Sequence, residues 1–145
     1  MTQRDNPWQS YRKVAVQTAS PGHLVLMLYD GAISFLERSL TGFNYKDPLE
    51  FNQTINNNIV RAQAIIHEMN GRLDMERGGE ISDNFRRLYN YFNLRLQQAN
   101  LKKKREPIEE VLGHLRGIRD SWAEMLRQGT ANNAPASPAA NLQAA

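Results

Sequence analysis

Along three stretches of this chain, apolar residues recur at alternating steps of three and four. Ile55, Ile59, Ala62, Ile66, Met69 and Leu73 make one row. Phe85, Tyr89, Phe92, Leu96 and Ala99 make a second, and Ile108, Val111, Leu115, Ile118, Trp122 and Met125 a third. That spacing collects on one side of the chain only when the backbone turns every 3.6 residues, so each row predicts one apolar face of an α-helix. No period-two pattern competes with it. A fourth stretch, Leu24 to Leu40, is apolar over a wider arc: Leu24, Leu28, Ala32 and Phe35 form the expected core stripe, and Leu26, Tyr29, Ile33 and Leu40 form another. At 100° per residue the two stripes are offset by roughly 100 to 160°.

Start and stop signals frame these rows. Ser20-Pro21 is a cap followed by a residue suited to the first helical position, and Gly42 ends the helix that follows. A second helix is expected from Pro48 to Asn70-Gly71, a third from the cap candidate Ser82 to about Leu101, and a fourth from Glu106-Pro107 to about Arg127. Four helices of about 20 residues, each near 30 Å long, with short connections, predict an all-α fold. The expected arrangement is an antiparallel up-down four-helix bundle over residues 20–128. Residues 129–145, with the sequence GTANNAPASPAANLQAA, are small, polar and interrupted by proline, and predict a disordered C-terminal tail.

Several classes of activity find no residues to carry them. Cysteine is absent, which excludes disulfides, thiolate catalysis and cysteine-held metals. No Glu-x-x-His pair serves a di-iron bundle, and Gly71 stands where a zinc-protease helix following His67-Glu68 would need its second histidine. Gly78-Gly79 lacks the lysine of a phosphate loop. No cofactor and no catalytic residue is therefore expected. No apolar run is long enough to span a membrane, and MTQRDNPWQSYRK lacks the apolar centre of a secretory leader, which points to a cytoplasmic protein. The net charge is +3. Between Ile81 and Arg105, Arg86, Arg87, Arg95, Lys102, Lys103, Lys104 and Arg105 face Asp83 alone. Such a run could bind nucleic acid, but no aromatic-lined groove or reader motif accompanies it. A solvated helix end, its cations complementing the macrodipole, is the favoured reading.

What remains is surplus apolar surface. Beyond the second stripe of the first helix, Leu94 and Leu101 lie almost opposite the core side of the third, with Tyr91 on its flank. In the fourth helix Gly113 and Gly117 lie away from the core stripe, each costing about 1 kcal/mol against alanine and leaving a shallow channel for another backbone. Trp8, Tyr11 and Ala15, three and four apart, would give residues 1–19 a short helix with one apolar side. Too short to be stable alone, it is expected to dock on the bundle as a lid, the alternative being a permanent fifth packing element. Excess apolar faces on a bundle of this kind point to a protein partner held helix-in-groove.

On these residues the chain resembles the FliS family of flagellin export chaperones. Asn6 to Ile33, NPWQSYRKVAVQTASPGHLVLMLYDGAI, is similar to the family's opening, an aromatic lid segment followed by T-A-S-P-x-x-L and M-L-Y-D-G-A. Gly78 to Leu101, GGEISDNFRRLYNYFNLRLQQANL, resembles its L-Y-x-Y, R-L and A-N pattern, and Glu109-Glu110-Val111 with Trp122 fits the final helix. The loop Lys102-Lys103-Lys104-Arg105 departs from the short mixed linker of the family. The resemblance implies a bundle that binds the C-terminal segment of flagellin, prevents premature polymerisation and delivers it to a component of the flagellar export gate. Resemblance and geometry together nominate Trp8 and Tyr11 as lid anchors. They nominate Leu26, Tyr29 and Ile33 as groove lining, and Tyr91, Leu94 and Leu101 as a further contact surface. Asp30 and Arg95 belong to the family motifs and either pair within the fold or touch cargo.

Overall fold

The Ser20 hydroxyl accepts the backbone N–H of His23, and Pro21 occupies the first helical position, so α1 (Pro21–Thr41) begins where its cap dictates. A 3-10 turn, Gly42–Asn44, leads to Asp47, whose carboxylate accepts the Glu50 N–H at 2.9 Å and opens α2 (Pro48–Gly71). Asp74 caps α3 (Met75–Lys102) in the same way, through the Arg77 N–H at 2.9 Å. At its far end Lys103 takes the left-handed conformation, φ 50°, and the Lys104 N–H returns to the Ala99 carbonyl at 3.1 Å. That reversal leads directly into α4 (Arg105–Gln128). The computed structural model describes residues 20–129, so the expected lid over 1–19 and the tail beyond Gly129 lie outside the described residues.

Cross-helix bonds run in opposite directions along each neighbouring pair. On α1 and α4, Gly22, Asp30 and Glu37 meet Trp122, Arg119 and Arg116 in turn. On α2 and α3, Asn56, Gln63 and Asn70 meet Asn100, Asn93 and Asn90. On α3 and α4, Arg95 reaches Glu110 and Phe92 stacks on His114. Gly42 lies so close to Ile55 that an added Cβ would stand 2.8 Å from that side chain, which closes the turn between α1 and α2. The fold is thus an up-down bundle of four antiparallel helices, and α1 and α3 lie across the diagonal.

The core repeats the apolar rows, with three adjustments. α1 buries Val25, Leu28, Tyr29, Ala32, Phe35 and Leu36, while Leu24 is only half-buried. This helix contacts both α2 and α4, so its buried arc is wider than the single stripe expected. α3 starts at Met75 rather than after Ser82. Ser82 is fully buried, and its hydroxyl donates to the Asp74 carbonyl at 2.8 Å, tying the first turn to the body of the helix. Gly79, between them, breaks helical geometry at φ 51°, ψ −126°. Ile118, expected in mid-core, is half-buried, whereas Trp122 is 2% exposed.

Candidate partner-binding site

Tyr91, Leu94 and Leu101 stand outside the core on α3, exposed to 42%, 55% and 78%. Periodicity is the cause. With Tyr89, Phe92, Leu96 and Ala99 turned inward, residues 94 and 101 must face outward and residue 91 must lie on the flank toward α4. The Tyr91 hydroxyl donates to one oxygen of Glu110 on α4. Arg95 Nε donates to the other at 2.8 Å, and Arg95 Nη1 reaches Gln98 Oε1 at 2.9 Å. The Tyr91 hydroxyl bond, reinforced by the Arg95 guanidinium, holds the Glu110 carboxyl below the usual carboxylate range. The same bond raises the Tyr91 phenol. With its hydroxyl fastened, the tyrosine offers a ring of defined orientation beside the two leucines. Such a ring costs little further side-chain entropy on binding.

Glu110, Gly113 and Gly117 step three and four along α4, so the glycines continue the line on which Glu110 meets α3. Both are exposed, and a Cβ built on either meets nothing within 4 Å. Among the described residues, no packing constraint requires glycine there. Neighbouring helices thus expose apolar side chains, on α3, and bare backbone, at the two glycines of α4. Among the described residues no cluster of three His, Cys, Asp or Glu side chains could hold a metal, and no helix is long and apolar enough to cross a membrane.

The nominees on α1 are placed differently. Tyr29 is a correction: it is 0% exposed, and its hydroxyl meets that of Tyr89 at 2.5 Å across the diagonal of the bundle. It is core because α3 fills the space opposite that arc of α1. Leu26 and Ile33 are half-buried against the core. They share one line with Asp30 and Glu37, whose carboxylates take Arg119 at 2.7 Å and Arg116 at 2.6 Å, so the neighbour along this flank is α4. Both family-motif residues left open above pair within the fold, Asp30 with Arg119 and Arg95 with Glu110. Trp8 and Tyr11 lie outside the described residues. Besides Arg95, two more members of the basic run are structural: Lys103 Nζ donates to the Asn100 carbonyl at 2.8 Å, and the Arg105 guanidinium sits 5.6 Å from the Phe43 ring centre. The sequence reading passed over the role of Glu110, whose signal was an acid one turn from glycines on an otherwise open face. It also passed over Leu49 and Val60, exposed apolar residues off the α2 stripe.

Fold and surface together define a class: an antiparallel four-helix bundle that leaves an apolar row uncovered on one of its helices. The model of one family, described as flagellar protein FliS, matches residues 4–129. The chain is similar to the flagellar secretion chaperone FliS of Bacillus subtilis (strain 168), 34% identical over 122 residues, 84% of this chain and 87% of the relative. It is 38% identical to the Salmonella typhimurium FliS chaperone over 111 residues, 77% of this chain and 80% of the relative. Against that of Escherichia coli (strain K12) it is 34% identical over 125 residues, covering 81% and 88%. The chain belongs to the FliS family of flagellar secretion chaperones.

Proposed function

We propose that this protein binds the C-terminal segment of flagellin in the cytoplasm, keeps it from assembling prematurely and delivers it to the export apparatus. The observation that carries this reading is the exposed row Tyr91, Leu94 and Leu101 beside the uncovered backbone of Gly113 and Gly117. A chain that is not yet folded pays its ordering entropy on binding, and it recovers that cost by wrapping a large surface. The row on α3 supplies apolar anchors, and the glycine pair lets a bound helix or strand approach α4 closely. Leu26 and Ile33, half-buried at the edge of α1, extend the contact, with Tyr29 supporting them from the core. The lid reading also stands here: residues 1–19, through Trp8 and Tyr11, cover apolar surface until cargo displaces them.

Leu94→Asp tests the contact surface. The side chain is more than half exposed, so thermal melts should change little. Calorimetry with flagellin should show at least ten-fold weaker binding, the scale of placing an unpaired charge in an apolar contact. Unchanged affinity would remove the α3 row from the site.

A further inference from the structure

The seams between neighbouring helices are not built alike. α1 and α4 are joined by two ion pairs and the Trp122 hydrogen bond, and α3 and α4 by the Glu110 network. Between α2 and α3 the described residues show no ion pair, and the polar contacts are made by amides. Asn100 Nδ2 donates to Asn56 Oδ1 at 2.8 Å, Asn70 Nδ2 to Asn90 Oδ1 at 3.0 Å, and Gln63 Nε2 to the Asn93 carbonyl at 3.2 Å. That seam is also incompletely satisfied. Among the described residues, Asn70 Oδ1 and both polar atoms of the Asn93 side chain are buried without a protein hydrogen-bond partner. A buried amide without a protein partner contributes less to holding a seam closed than one that is fully paired. At the start of α3 stands Gly79, at φ 51°, ψ −126°, a backbone state open to glycine and strained for any other residue. A Cβ there would meet no atom within 4 Å, so backbone conformation, and not packing, accounts for glycine at this point.

We infer that the amide seam between α2 and α3 is the line along which this bundle opens, with Gly79 as the hinge. α3, held to α4 by Glu110, rocks away from α2. The movement wets Asn70 and Asn93 and uncovers Phe92, Leu96 and Ala99, each 0% exposed in the closed form. The newly exposed apolar strip lies on the side of α3 opposite the Leu94 and Leu101 row, so opening gives a bound segment a second apolar face of the same helix. Opening therefore regulates the capture surface, an inference that rests on the chaperone reading above.

The chain has no cysteine, so the double variant Asn56→Cys/Asn100→Cys forms one intramolecular disulfide that staples the seam at the end far from Gly79. Hydrogen exchange on the oxidised protein, compared with the same protein reduced, should show amides between Asn90 and Asn100 slowed about ten-fold, while α1 is unaffected. The ten-fold scale is that of one buried unsatisfied group. Asn93→Leu keeps the side-chain shape and removes two of the partnerless atoms. It should slow the same amides and raise the unfolding midpoint. Association with flagellin should slow by a similar factor in the oxidised staple and recover on reduction. Slowing spread evenly over all four helices would overturn the seam as the opening line. So would a lower midpoint in Asn93→Leu, because it would mean that ordered water satisfies Asn93 in the closed form. Local slowing with unchanged association would overturn its regulatory part. Failure of the chaperone reading itself would show separately, as no flagellin binding by the reduced protein.

Discussion

Two tyrosine hydroxyls meet at the centre of the bundle, where neither has water to turn to. Burial, the largest cause, pushes the Tyr89 phenol up to about 12 and that of Tyr29 well above its ordinary value, with Tyr89 adding to the rise at Tyr29. The native state therefore keeps protons that the unfolded chain releases near 10.0. Stability from this pair is fully present below pH 10 and is lost as pH rises toward 12, by roughly 2–3 kcal/mol for Tyr89 alone. Denaturant midpoints measured at pH 9 and pH 11, with Tyr89→Phe as the comparison, check this: the variant should lose less stability across the interval. Trp122 works at the same scale. It is buried in the α4 stripe, and its indole N–H donates to the Gly22 carbonyl at 2.8 Å, pinning the start of α1. Trp122→Ala should cost about 3–5 kcal/mol, and a small shift in the unfolding midpoint would show that the stripe tolerates the cavity.

Among the elements, α4 shows most plainly a sequence choice that folding does not explain. Gly113 and Gly117 sit in mid-helix with open space around them, although alanine would stabilise each position by about 1 kcal/mol. The double variant Gly113→Ala/Gly117→Ala is expected to raise the unfolding midpoint and to weaken flagellin binding, because two methyl groups then occupy the approach to the backbone. A more stable variant with undiminished affinity would separate the glycines from capture. α1 makes the opposite choice, spending nearly all of its apolar surface inside the fold, with Asp30 and Glu37 fastening its flank to α4. The end of α3 shows how a charged run can be structural. Lys103 satisfies the last carbonyls of the helix while adopting a left-handed backbone, and its burial lowers its own ammonium pKa.

At the scale of the whole molecule, the proposed lid would make capture compete with residues 1–19 for the apolar surface. Burying Trp8 and Tyr11 gains several kcal/mol gross by area, less the entropy of ordering a dozen residues. A closed preference of about 1–2 kcal/mol remains by difference. Apparent affinity falls by the open fraction, so deleting residues 1–17 should tighten flagellin binding roughly five- to thirty-fold and expose a dye-binding surface. Weaker binding on deletion, or protection of the Tyr11 amide that survives saturation with cargo, would replace the lid with a segment that holds cargo directly.

Read alone, the sequence determined the number of helices, most of their ends and the inward rows of α2, α3 and α4. Those features depend on local physics: a 3.6-residue period, the cap at Ser20, and glycine or proline at the breaks. It also determined the outward position of Leu94 and Leu101, because residues 92, 96 and 99 had to face in. Tertiary structure decided what local spacing leaves open. Tyr29 and Leu26 belong to the same surplus stripe of α1, yet one is core and the other an edge, since only the positions of α3 and α4 determine how wide an arc is buried. The same holds for Ser82, which reads as a cap until the carbonyl of Asp74 is brought beside it. It holds too for Glu110, Arg95 and Tyr91, whose partnership depends on α3 and α4 running antiparallel at one register. Long-range pairings of this kind leave no periodic trace in the chain.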